Sequence, residues 1–149
     1  LHFLHFGKIC YKLGGLKMRE MIYQRDRLEP PERIADGRYK GFDFYVISLG
    51  THPCAYIDVS DTTLSGEEYS NIDIICHGGL TYSDSILTTV DKNGWFIGWD
   101  YAHYTDYFGG YFDSFTGCKK WTTEEIVDEC KKVIEQLIEL LKGGADNDR

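Results

Sequence analysis

From Thr122 to Leu141 the chain repeats apolar residues at three- and four-residue intervals: Ile126, Val127, Cys130, Val133, Ile134, Leu137, Ile138 and Leu141. That spacing draws one stripe along an α-helix, and a long helix with a single apolar face must lay that face on something. Its start is equally legible. Thr122 and Glu125 occupy the reciprocal positions of a capping box, and Trp121 and Ile126 those of a hydrophobic staple. Gly143-Gly144 predicts its stop, leaving residues 143–149 as a disordered polar tail.

The segments before the helix are short and rich in aromatic and β-branched residues, so a sheet is the expected cover. Phe42 to Ser48 reads as a strand, Gly50 to Pro53 as a turn and Cys54 to Val59 as the antiparallel partner. Met21 to Tyr23, Ile72 to Cys76 and Trp95 to Trp99 are further strand candidates, the last entered through an Asn93-Gly94 hairpin turn. Glu29-Pro30-Pro31-Glu32 interrupts, and Arg33, Arg38 and Lys40 then read as a solvated loop able to fold toward a phosphate. The fold class is α+β: a mostly antiparallel twisted β-sheet of four to six strands covered by one long C-terminal α-helix. Residues 1–17 read as a peripheral leader and 18–142 as a single α+β domain, since 149 residues with 42% hydrophobic and 15% aromatic content suit one core.

Charge narrows the partners. Lys8, Lys12 and Lys17 are the charged side chains of residues 1–17, so the rest is more acidic than the net charge of −8. Such a surface repels a phosphate backbone, which argues against general nucleic-acid binding. No stretch has the length of apolar sequence that a membrane span needs. Five cysteines, Cys10, Cys54, Cys76, Cys118 and Cys130, are odd in number and form no Cys-x-x-Cys pair. Reduced thiols and a cytoplasmic setting follow better than a disulfide framework or a cysteine-rich zinc site. A homo-oligomer is compatible with everything in the sequence.

Chemistry concentrates in two motifs, Cys76-His77-Gly78-Gly79-Leu80-Thr81-Tyr82-Ser83 and Gly98-Trp99-Asp100-Tyr101-Ala102-His103-Tyr104-Thr105-Asp106-Tyr107. Each follows a strand candidate, and strand ends are where a rigid sheet can present side chains. If the two strands are neighbours, His77, Gly78, Gly79, Tyr82, Trp99, Asp100, His103 and Asp106 line one ligand site. Gly78-Gly79 would offer main-chain N–H groups to an anion, although a simple turn uses the same residues. Imidazole and carboxylate are ordinary ligands of a divalent metal, so His77, Asp100, His103 and Asp106 are metal candidates, with no cofactor required and no recognised ligand spacing. His103 oriented by Asp100 is the candidate acid/base pair for a hydrolase. Ser83, Thr81 and Cys76 lack the setting of an activated nucleophile. His52 before Pro53 reads as a turn residue, and His2 and His5 lie in the leader. Tyr82, Tyr101, Tyr104, Tyr107 and Tyr111 crowd the motifs, which suits stacking on a ring or docking a protein.

Across residues 40–142 the chain resembles a family of short, uncharacterised proteins carried by phages and prophages of Gram-positive bacteria. The shared pieces are Pro-Cys-Ala-Tyr-Ile at 53–57, Glu-Glu-Tyr-Ser-Asn-Ile-Asp-Ile at 67–74, His-Gly-Gly-Leu-Thr-Tyr-Ser at 77–83, and Trp-Phe-Ile-Gly-Trp-Asp-Tyr-Ala-His at 95–103 with Asp106-Tyr107. Members of that family often carry Phe and Cys where this chain has Trp99 and Tyr101. The resemblance implies the cytoplasm of a bacterial host and an accessory role that includes counter-defence. In that role a nucleotide-like host-defence signal would be bound and sequestered, with glycine backbone for phosphate, Trp99 and the tyrosines for a base, and Asp and His for ribose hydroxyls. Small-molecule binding is therefore the leading expectation. A His/Asp-dependent, optionally metal-assisted hydrolase is the first alternative, and an acidic protein-binding inhibitor the second.

Overall fold

A computed structural model describes residues 3–6, 9–12, 16–23, 30–108 and 117–147, with side chains for those between 16 and 143. Eight strands follow one another in the chain: β1 (Phe3–Phe6), β2 (Ile9–Lys12), β3 (Leu16–Met18), β4 (Glu32–Tyr39), β5 (Phe42–Ser48), β6 (Pro53–Asp58), β7 (Tyr82–Asp84) and β8 (Phe96–Asp100). They form one sheet in the order β1-β2-β3-β4-β5-β6-β8-β7. Every neighbouring pair is antiparallel. From Leu16 onward there are six strands, the upper end of the expected number; β1 and β2 extend the β3 edge. A single helix, α1 (Thr123–Asn147), closes the chain. The class is thus α+β, with one long C-terminal helix on an antiparallel sheet.

The helix stripe does what its spacing requires. Ile126, Val127, Cys130, Val133, Ile134 and Leu137 are all buried, and they share a core with Met18, Ala35, Phe44, Val46, Ala55, Ile57, Ile97 and Trp99 from β3 to β8. The capping box closes as read: Thr122 N donates to Glu125 Oε1 at 3.0 Å and Glu125 N to Thr122 Oγ1 at 3.2 Å. Among the described residues no helix covers the opposite face of the sheet, which carries a smaller cluster of Tyr45, Ile47, Leu87 and Phe96. Among the described residues no helix is long and apolar enough to cross a membrane.

Several local expectations fail, each for a physical reason. Met21 to Tyr23 is not a strand; β4 takes that place in the sheet, in the segment expected to be a solvated loop. Its charges do not forbid a strand because they pair along the helix-free face: Arg33 with Asp36 at 3.4 Å and Arg38 with Asp43 at 3.0 Å. The β4–β5 turn is Lys40-Gly41, with positive φ at both residues (47° and 89°), the geometry that matches strand twist. Ile72 to Cys76 is also not a strand. The side chain of Gln136 on α1 supplies the ladder that a neighbour strand would have given, accepting from Ile75 N at 2.8 Å and donating to Ile75 O at 2.7 Å. Asn93-Gly94 belongs to the long β7–β8 connection instead of a two-residue turn. Finally, α1 runs through Gly143-Gly144 to Asn147, past the expected stop and into the expected tail. Glycine costs a helix about 1 kcal/mol relative to alanine but does not block it as proline would. Residues 148 and 149 lie outside the described residues.

Replacing Thr122 by Ala removes the cap from an otherwise intact helix and is expected to lower stability by about 1 kcal/mol. Urea unfolding followed by circular dichroism measures it.

Candidate functional site

The two motifs do meet. The rings of His77 and His103 lie 5.4 Å apart, centre to centre. His77 begins a tight turn closed by Gly79 N donating to Cys76 O at 3.0 Å. Its imidazole stacks on Tyr101 at 4.7 Å with 7° between planes and meets the Trp121 ring at 5.0 Å. Its Nε2 lies 2.6 Å from Asp106 Oδ2. A carboxylate can only accept, so Nε2 carries the hydrogen. The Asp106 carboxylate is 1% exposed. It also accepts from the His103 main-chain N at 3.0 Å and from Trp121 Nε1 at 2.9 Å. Motif one, motif two and the entry to α1 are thereby tied to one buried charge.

Gly78 is required twice over. Its φ is +70°, and a Cβ there would sit 2.0 Å from His103 Nε2. The glycine pair forms a turn and a close approach, and two of the main-chain donors there are already engaged. Gly79 N is in the turn, and His77 N donates to Glu129 Oε1 at 2.8 Å, placing a carboxylate where a phosphate would need to be.

The alternation of β8 splits the expected ligand set between the two faces of the sheet. Trp99 is 1% exposed, with its indole donating to Tyr101 Oη at 3.1 Å on the helix side. Asp100 faces the other way. Its Oδ1 accepts from Ala102 N at 3.1 Å and its Oδ2 from Thr81 Oγ1 at 3.3 Å. His103 Nε2 is 3.3 Å from Asp100 Oδ1 but lies out of line, and it has no hydrogen-bond partner.

On that helix-free face a cavity of about 450 Å³ opens at the ends of β6 and β8, with His52, Tyr56, Thr81, Tyr82 and Asp100 as its polar lining. Leu49, Cys54 and Ala102 complete the wall; Trp99 also borders it, although its indole is packed on the other side. Gly98 lies buried beneath the Tyr56 ring of that wall. It lies in register between Tyr56 and Tyr82, whose rings meet edge to face at 5.2 Å, and a Cβ at Gly98 would come within 2.4 Å of Tyr56. Of the eight expected ligand residues, Tyr82, Trp99 and Asp100 border this cavity, while His77, Gly78, Gly79, His103 and Asp106 do not.

Sequence reasoning missed His52 and Glu129. His52 sits at the β5–β6 turn with Nδ1 2.8 Å from Thr51 Oγ1. Burial holds its pKa below the ordinary value, against the pull of Asp100 and Asp106. Its sequence sign was thin: a histidine between a threonine and a proline. Glu129 breaks the polar border of the helix stripe next to Cys130, and that position is the only hint of its inward role.

The chemical inventory is restrictive. Burial pushes the thiols of Cys54 and Cys76 up to about 12, so both are protonated at neutral pH. Among the described residues no group of three or more His, Cys, Asp or Glu is placed to hold a metal ion. Arg33 and Arg38 are engaged with carboxylates, as is Lys40 with Glu135 at 3.1 Å, and none of the three borders the cavity. Of the tyrosines near the motifs, Tyr101 and Tyr107 are buried and Tyr104 is 92% exposed; Tyr111 lies outside the described residues. Comparison with protein-family models, curated proteins and solved structures finds no match for this chain.

Truncating Asp106 to Ala strands three donors and is expected to cost about 3 kcal/mol or more, read from urea unfolding. A second expectation concerns pH. Because His52 titrates lower in the folded chain, the unfolded chain binds its proton more readily. The stability His52 contributes is complete above its ordinary value of 6.5 and is lost as pH falls through the folded value. His52→Asn is expected to flatten that part of the stability profile between about pH 7.5 and about pH 5.

Proposed function

We propose that this chain binds a small polar, ring-bearing molecule in the cavity at the ends of β6 and β8 and returns it chemically unchanged. The observation that carries the reading is the pair of tyrosine rings, Tyr56 and Tyr82, in the cavity wall, with the Asp100 carboxylate and the Thr81 hydroxyl beside them. A cavity of about 450 Å³ falls within the range used for small ligands. Flat aromatic walls and a few convergent polar groups are the usual means of orienting a ring.

Binding without chemistry is supported by what the side chains are already doing. The His77 imidazole is committed to Asp106 and to its stacking on Tyr101, and the nearby thiols are protonated. A nucleophile paired with a free base is the least that covalent catalysis needs. Among the described residues the lining has no lysine or arginine, so the reading disfavours a phosphorylated nucleotide. In the phage setting that the motifs resemble, sequestering a host-defence molecule is the use such a pocket would serve.

Thermal-shift screening against nucleosides, nucleotides, cyclic nucleotides, sugars and ring-bearing amines tests the reading. A stabilising hit is expected, lost by about tenfold or more in affinity in Tyr82→Ala. Recovery of the hit in cleaved form would instead favour a hydrolase using His103 and Asp100, and a flat screen at high concentration would remove the pocket reading.

A further inference from the structure

Resting on that reading, we infer that the ligand carries a positive charge, an organic ammonium group that docks against Asp100 beside the tyrosine rings. Asp100 is the one Asp, Glu, Lys or Arg side chain bordering the cavity. It is 29% exposed and in hydrogen-bond contact with one main-chain N–H and one neutral hydroxyl, the latter at 3.3 Å. A carboxylate has about four acceptor positions, so both oxygens keep capacity for a donor. Among the described residues no lysine or arginine is paired with it, and the nearby His103 Nε2, 3.3 Å from Oδ1, makes no hydrogen bond to it.

The surrounding groups add to the same sign. His52 is held toward its neutral form by burial, and the Asp106 carboxylate is occupied by donors from His77, His103 and Trp121. The Tyr82 hydroxyl donates to Ile86 O, so what Tyr82 presents to a ligand is its ring. Ring faces attract cations, by about 0.5–2 kcal/mol depending on desolvation. An anionic ligand would meet the Asp100 carboxylate on a protein of net charge −8. A neutral one would leave the spare acceptor positions to water.

Three probes that differ only at one end separate these cases: tyramine (ammonium), tyrosol (hydroxyl) and 4-hydroxyphenylacetate (carboxylate). Each is titrated into the full chain labelled with ¹⁵N, following the amides around His52, Tyr82 and Asp100. Tyramine is expected to bind about tenfold more tightly than tyrosol, the carboxylate not at all, and the preference to weaken with added salt. In the isosteric Asp100→Asn variant tyramine is expected to fall to the level of tyrosol. Equal or stronger binding of tyrosol or of the carboxylate overturns the charge inference and leaves the cavity reading standing. If none of the three perturbs those amides in the unaltered protein, both are overturned.

Discussion

The Asp106 carboxylate is the contact on which the site depends. A carboxylate removed from water costs several kcal/mol unless it is fully paired, and here the His77 ring, the His103 main chain and the Trp121 indole pair it. These donors come from three stretches that are far apart in the chain. Their convergence fixes the path of residues 101–106 as they leave β8, and so fixes where Asp100 and Ala102 stand at the cavity edge. The contacts at positions 77, 103 and 106 thus hold the geometry of the segment that leaves β8.

The second constraint is the two-residue period of a strand. On β8 it sends Ile97 and Trp99 into the core under the helix and Phe96, Gly98 and Asp100 to the other side. A motif that looks like one patch in the sequence becomes a layered object, hydrophobic on one side of the backbone and receptive on the other. Gly98 shows the same logic from the receptive side, since any larger residue there would strike the Tyr56 ring.

Much of this was readable in the residues. The long helix, its capping box and the β5–β6 pair follow from periodicity and local chemistry that nothing elsewhere in the fold opposes. The convergence of the two histidine motifs was expected from two neighbouring strands; it occurs, but only the second motif follows a strand, β8. What failed to show was long-range. β4 is charged in sequence, and only its pairing with β5 and the ion pairs on the helix-free face make those charges compatible with a strand. Residues 72–76 have strand composition, yet Gln136, 61 positions away, takes the strand partner's role. His52 could not be assigned to the cavity without knowing that the β5–β6 turn lies beside Thr81 and Asp100.

β7 has only three residues and ends the sheet, paired on one side alone. Terminal strands this brief are where a native structure breathes at least energetic expense. Since Tyr82 is on it, one wall of the cavity is the part of this sheet most open to fraying; under the proposed reading, rates of entry and exit would be set at that margin, independently of how well the interior holds a ligand.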